Sequence, residues 1–193
     1  QRGQTVNLLA MPSKVRILHS PKIKGVTKCV FFKTYFITPF FLRRAKISCF
    51  YENGLNFECN RCSCCCRLSP GYVYLSQRDL TSLCQWFKLS EQEFIEKYCR
   101  WVGYYEGKQA LALIELKNYD CVLWNKDCGC SAYGARPVQC STYPFWSWIL
   151  KDRKTWDDTQ KDCPGINKGK LWTKTQIESQ CLEYVRNEPI TRP

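Results

Sequence analysis

The stretch Phe57-Glu58-Cys59-Asn60-Arg61-Cys62-Ser63-Cys64-Cys65-Cys66 places five cysteines within eight residues. Cys59, Cys62 and Cys65 stand at strict three-residue intervals. That interval lets a tight turn aim several sulfurs at one point, which a metal centre needs and a packed core does not. The remainder of the chain then reads as scaffold, or as the source of further ligands for this turn.

The totals bound this reading. A chain of 193 residues is long enough for one core, or for one domain with an appendage. Charged residues at 24% and aromatic residues at 15% argue against global disorder. The anomaly is the 15 cysteines, an odd number that full pairing into disulfides would leave with one over. A secreted, disulfide-stapled chain would also be expected to carry a signal peptide, and none is visible. Bridge geometry restricts pairing among three adjacent cysteines such as Cys64 to Cys66. In a reducing cytoplasm, the expected location, the same residues are thiols available to metal. His19 is the one histidine of the chain, which excludes a Cys2His2 finger and a histidine-based catalytic dyad or triad in the body of the protein.

The net charge of +12 is unevenly spread. Residues 1–51 hold ten Lys or Arg and no acid, and the rest is nearly neutral. The basic balance is therefore a property of the leading segment, so a nucleic-acid surface on the domain is not expected. We divide the chain into a basic leader over 1–50, expected to be poorly ordered or peripheral, and a cysteine-cluster domain over 51–193. The leader starts with Gln, and the one Met is Met11, as in a processed chain or a translated extension. Its acid-free, basic character is shared with organellar transit peptides, but its serines are sparse for one. Residues 29–42 are apolar, interrupted by Lys33 and Pro39, and too short to span a bilayer. They are expected to pack on the domain as a strand or to remain outside it, in preference to anchoring on a membrane.

Past the cysteine turn the signals become regular. Tyr72–Leu75 reads as a short strand. Ser76 with Asp79 reads as the cap of a helix reaching Phe87, with Leu80, Leu83, Cys84 and Phe87 inward. Ser90 with Glu93 caps a second helix, with Phe94, Ile95 and Tyr98 inward. Cys84 and Cys99 read as small buried apolar residues of these helix faces. Ala110–Leu116 is a strand candidate, and Asn118-Tyr119-Asp120 a turn. Trp146–Leu150 and Thr155-Trp156 suggest a hairpin turning at Asp152. Thr175 with Glu178 suggests the cap of a last helix with Ile177, Cys181, Leu182 and Val185 inward.

Two metals suit the ligand pattern. Cys-x2-Cys-x2-Cys wraps three corners of an iron–sulfur cubane in bacterial ferredoxins, where the distant fourth cysteine precedes proline, as Cys163 precedes Pro164. The same turn could grip zinc through Cys59 and Cys62, with Cys130 and Cys140 as a second pair. Thiolate softness admits both.

At these residues the chain resembles a known family. Phe57-x-Cys59-x2-Cys62-x2-Cys65-Cys66, a following helix with Asp79, Cys121, Cys130-Ser131-Ala132-Tyr133, Arg136-Pro137-x2-Cys140-x2-Tyr143-Pro144-Phe145 and Cys163-Pro164-Gly165 resemble the YkgJ-type cysteine-cluster proteins. Their shared domain is described as zinc- or iron-chelating. The resemblance implies eight metal ligands: Cys59, Cys62, Cys65, Cys66, Cys121, Cys130, Cys140 and Cys163. Cys64 and Cys128 are additional to the pattern, and they leave open whether Cys128 or Cys130 faces the metal. A similar domain occurs in flagellin lysine N-methylases, which are associated with an iron–sulfur cluster; this favours an iron–sulfur cluster over zinc. The chain looks too short to carry the rest of such an enzyme. Arg136 would donate to cluster sulfurs or a bound anion, or else cap a carbonyl. Tyr133, Tyr143, Phe145 and Trp146 would keep water from the site or simply fill the core.

The expected fold is a small α+β domain: short helices and a minor antiparallel sheet knitted around a cysteine-ligated metal centre, with the metal needed for the fold. The expected function is metal binding through thiolates, with an electron-transfer or accessory role. The alternative is an enzyme, or an enzyme accessory, using an iron–sulfur centre for redox or methyl-transfer chemistry on a partner protein. No nucleotide loop, dinucleotide fingerprint or other catalytic constellation is present to support it. A third reading makes the basic leader an adaptor for nucleic acid or an anionic membrane. A protein partner, of unknown identity, is expected ahead of either.

Overall fold

The computed structural model describes residues 49–67 and 70–193. The expectations placed on residues 1–48, including the apolar run 29–42, lie outside the described residues.

The elements follow from local chemistry. Strand β1 is Leu55–Phe57; helices α1 and α2 are Gln77–Phe87 and Glu91–Tyr98. Strands β2 (Cys99–Gly103), β3 (Gln109–Leu113), β4 (Trp124–Asn125) and β5 (Gly129–Cys130) come next. They are followed by α3 (Val138–Ser141), α4 (Arg153–Asp158), β6 (Ile166–Trp172), α5 (Lys174–Arg186) and β7 (Thr191–Arg192). Both α1 and α2 begin with complete capping boxes, Ser76 with Asp79 and Ser90 with Glu93. Each satisfies two otherwise orphaned backbone donors, and such caps contribute on the order of 1 kcal/mol. The helix faces are as expected: Leu80, Leu83, Cys84 and Phe94 are buried. Cys99 is buried too, but as the first residue of β2.

Three small antiparallel sheets pair β1 with β6, β2 with β3 and β7, and β4 with β5. Tyr72–Leu75 runs beside β3 and makes a single bridge, Tyr74 to Ala112. The expected Asn118–Asp120 turn is present, with Tyr119 at φ +68° and its N–H donating to the Leu116 carbonyl.

Two expectations need correction. Residues 146–158 do not form a hairpin. Ile149–Lys151 is a 3-10 turn, and Asp152 accepts from the Thr155 N–H as the N-cap of α4. The aromatic and β-branched residues here suit a strand by propensity, but the cap and the Leu150 N–H to Trp146 carbonyl bond favour helical turns. The last helix begins at Thr173 with Gln176 as its box partner, two residues before the Thr175–Glu178 pair. With that start, Ile177 and Cys181 are buried, whereas Leu182 is 37% exposed.

The elements enclose two main cores. The first is aromatic: Tyr51, Phe57, Tyr143, Phe145, Trp146 and Trp156 pack with Ile166, Ile177 and the buried cysteines Cys49, Cys163 and Cys181. Phe145 stacks on Trp156 at 5.8 Å and meets Phe57 edge to face at 5.7 Å. The second holds Leu75, Leu80, Leu83, Phe94, Leu111, Leu113, Leu123 and Cys121, with Cys66 and Cys130 packed against it. Each large apolar side chain fully buried here contributes about 1.5–3 kcal/mol. Among the described residues, no helix is long and apolar enough to cross a membrane.

Candidate metal centre

The cysteine loop lies at the seam between the two cores. It leaves the first core at Phe57 and reaches the second at Cys66. Between them the chain is irregular, apart from a 3-10 turn over Cys64–Cys66. Arg61 and Ser63 both adopt left-handed backbone, φ +57° and +62°, which non-glycine residues adopt only where the surroundings impose it. The loop is thus bent to a purpose other than regular hydrogen bonding.

Three distant segments clamp it. At its entry, the Glu58 N–H donates to the Gly165 carbonyl at 3.3 Å. This approach is so close that a Cβ on Gly165 would lie 2.1 Å from the Glu58 carbonyl oxygen. The contact seats the Cys163-Pro164-Gly165 turn under the loop. At its exit, the Cys121 N–H donates to the Cys66 carbonyl at 2.9 Å. Arg67 then forms an ion pair with the buried Asp120 at 2.9 Å and lies over the Trp124 ring at 3.6 Å. Asn118 orients the same carboxylate, donating from Nδ2 at 2.8 Å. In the middle, Arg61 stacks on Tyr133 at 4.2 Å, with Arg136 on that ring at 3.8 Å.

The thiols of these segments face one another around Cys65. Cys65 and Cys66 sulfurs are 3.8 Å apart. The Cys66 thiol is pushed up chiefly by its hydrogen bond with Cys65, then by burial and by Cys140 and Cys121. Burial pushes up the Cys140 thiol, with Cys121, Cys65 and Cys130 adding and Arg136 opposing. Burial also raises Cys130, against the Ala132 N–H and Arg136, and Cys65 and Cys128 add to it. Cys163 is raised to about 11, first by burial, with Cys62 and Cys65 adding and the Gly165 N–H and Tyr143 opposing. Four of the eight candidates, Cys66, Cys130, Cys140 and Cys163, thus sense other thiols across the seam, and Cys62, Cys65 and Cys121 are among the sulfurs they sense. Cys59 is exposed at the loop entry.

Of the two neighbours in doubt, Cys130 is half-buried and Cys128 exposed. The β4–β5 hairpin sets this difference in burial, because it pairs Cys130 with Trp124 at the second core while Cys128 falls in the connecting turn. Arg136 donates from Nε to the Tyr133 carbonyl at 3.0 Å, the carbonyl-capping role. Asp79 is more than a cap. Its buried carboxylate also accepts from the Val138 N–H at 2.8 Å and Asn187 Nδ2 at 2.7 Å, joining α1 to α3 and to the end of α5. Sequence reasoning missed Arg67, whose partner Asp120 lies 53 residues away.

The donor set fits a thiophilic metal. Among the described residues no two cysteines are joined in a disulfide. The candidate ligands are all sulfur, and such soft donors select zinc, Cu(I) or iron–sulfur clusters over magnesium or calcium. The buried Tyr143 hydroxyl lies against the Cys163 thiol, short of full hydrogen-bond geometry. A phenol turned towards that sulfur suits metal-bound thiolate, a stronger acceptor than a thiol. The sulfurs stand around the seam without closing on one point: among the described residues, no group of three or more Cys, His, Asp or Glu side chains is drawn tightly enough to hold a metal ion as it stands.

No solved structure matches this chain. Residues 58–164, more than half of the chain, match the model of the CxxCxxCC family, described as a putative zinc- or iron-chelating domain. That span opens one residue before Cys59 and closes one residue after Cys163, so it takes in all eight candidate ligands and ends one residue short of the Gly165 clamp. The chain belongs to the CxxCxxCC family of cysteine-cluster proteins.

Proposed function

We propose that the seam holds an iron–sulfur cluster through cysteine thiolates and that the protein serves electron transfer or an accessory role to a partner enzyme in the cytoplasm. The ligands are drawn from Cys59, Cys62, Cys65, Cys66, Cys121, Cys130, Cys140 and Cys163. The observation that carries this reading is the meeting of four chain segments around Cys65, each bringing at least one thiol. Bound there, the cluster would supply one-electron chemistry.

The protein's own residues would tune it. Tyr143 and the backbone N–H groups of Ala132 and Gly165 are placed as donors to Cys163 and Cys130. Arg136 contributes positive charge near Cys130 and Cys140. Hydrogen bonds to ligand sulfurs and nearby positive charge both raise a cluster's potential. Because burial holds the Cys130, Cys140 and Cys163 thiols protonated, loading the site through them must release protons.

Zinc is the competing occupant, and a tetrahedral zinc uses four ligands, half of the eight on offer. Anaerobic purification of the full chain, followed by metal and acid-labile sulfide analysis and an optical spectrum, separates the two. Iron with sulfide, and a broad visible absorption that bleaches on reduction, supports the proposal. A colourless protein with stoichiometric zinc replaces the cluster with a structural ion. A folded protein free of both removes the function altogether.

A further inference from the structure

The molecule carries a concave feature lined in part by α3 and α5. A cavity of about 140 Å³ opens among Tyr74, Tyr104, Trp148 and Tyr184. These rings come from four separate parts of the chain. Tyr74 and Tyr104 meet edge to face at 5.3 Å and 69°, and Trp148 and Tyr184 at 5.6 Å and 73°. Gln139, next to Cys140 in sequence, also lines the cavity; its side chain is committed to the Tyr74 N–H at 3.1 Å and the Tyr72 carbonyl at 2.8 Å.

Three features separate this cavity from ordinary packing. Trp148 is left 37% exposed, so the ring is a wall and not a core residue. Tyr74 is 8% exposed, and its hydroxyl finds no partner among the described residues. Buried hydroxyls are rarely left so, and one in a cavity wall marks a site that a ligand completes. Among the described residues that line it, Glu188 carries the one charged side chain, it makes no ion pair with another described residue, and none is basic. Burial raises Tyr74 to about 12, with Tyr104 adding, so its phenol stays neutral and Glu188 sets the charge of the cavity.

Aromatic walls with one carboxylate suit a cation. Ring faces carry negative quadrupole density, and they attract an ammonium most when it sheds water readily, as methylated ammonium groups do and a bare lysine does not. The volume falls below the 300–1,000 Å³ usual for drug-sized ligands, which leaves room for a single headgroup. The geometry points to a binding site for a methylated ammonium group in this cavity, carried by a methylated lysine side chain or by a free choline-type cation. The site is independent of the metal reading, and its failure would leave the cysteine assignment standing.

The test is titration of the full chain, as purified with its metal, followed by calorimetry and by tryptophan fluorescence. The probes are tetramethylammonium, blocked trimethyllysine, choline, blocked unmodified lysine, and a neutral analogue ending in a tert-butyl group. Saturable binding is expected for the methylated cations, about tenfold or more tighter than for lysine or the neutral analogue. Tighter binding of trimethyllysine assigns the site to a protein ligand, and tighter binding of choline to a free cation. Trp148→Ala, which removes a half-exposed ring, should weaken binding about tenfold. Glu188→Gln, at an exposed position that the fold does not use, should weaken it severalfold. No saturation with tetramethylammonium in the tens of millimolar, equal binding of the neutral analogue, or unchanged binding by Trp148→Ala would overturn the assignment.

Discussion

The aromatic core and the cysteine seam sit side by side, and they are held together by different means. In the core, Trp156 has no exposed surface, stacks on Phe145, and satisfies its indole N–H on Asn167 at 2.7 Å. Little there asks for a further component. In the seam, Cys59, Cys62 and Cys65 are exposed, two non-glycine residues take left-handed backbone, and the buried Tyr143 hydroxyl meets only a thiol. The protein closes its cores by apolar burial and leaves the seam to be closed by something that bonds sulfur. On the proposed reading, metal would organise the seam more than the whole fold.

The largest expected effect breaks the core and spares the seam's chemistry. Trp156→Ala should cost about 3–5 kcal/mol in chemical denaturation, the usual range for a large buried aromatic. Metal content per folded chain should not change. If it falls in proportion to stability, core and seam are one unit and the distinction fails.

The converse substitution is Cys65→Ser. It should remove at least half of the bound metal, read by elemental analysis, while the far-ultraviolet circular dichroism of α1, α2 and α5 persists. Cys84→Ser, in the second core and outside the loop, is the control and should leave metal content unchanged. Equal metal loss in both variants would show that fold, and not ligation, was being measured.

The clamp at the loop exit can be probed without touching a thiol. Asp120→Asn removes the charge that holds Arg67. A buried pair broken in this way costs about 3–5 kcal/mol. Arg67 is 35% exposed, so solvent screening reduces the expected cost to about 1–2 kcal/mol. The loss should appear mainly as faster metal release to a chelator, because the clamp serves the seam.

The smallest effect is on pH dependence. Cys99 and Cys181 are buried outside the seam; burial raises their thiols from 9.0 to about 12 and about 11, with smaller contributions from Cys84 and Glu178. A thiol raised on folding keeps its proton in the native state while the unfolded chain loses it. Its contribution is therefore complete below pH 9 and is lost as pH climbs towards 11 to 12. Each group should cost at most about 1.4 kcal/mol per pH unit in that window. Urea denaturation at pH 8, 9 and 10 should show a flat step and then a decline; rising stability would contradict the burial of these residues.

How much of this was legible in the sequence follows from how local each signal is. The capping boxes of α1 and α2 were readable because cap and partner lie three residues apart. The start of α5 slipped by two residues because two overlapping pairs, Thr173–Gln176 and Thr175–Glu178, both fit a capping box. Strand β6 escaped notice: Lys168, Gly169 and Lys170 interrupt any alternation, and its partner β1 lies more than a hundred residues earlier. The cysteine loop was plain from spacing, and the wider ligand set came from resemblance to a family. The clamps that bring those cysteines to the loop, Glu58 with Gly165 and Arg67 with Asp120, are pairings between distant residues that no local pattern announces.

The most direct test of the central claim is X-ray absorption at the edge of whichever metal the full chain carries after anaerobic purification. If thiolates of the loop and its clamping segments hold that metal, the nearest shell contains sulfur alone, at about 2.3 Å were the metal zinc. A shell dominated by nitrogen or oxygen, or a folded chain without bound metal, would contradict the account.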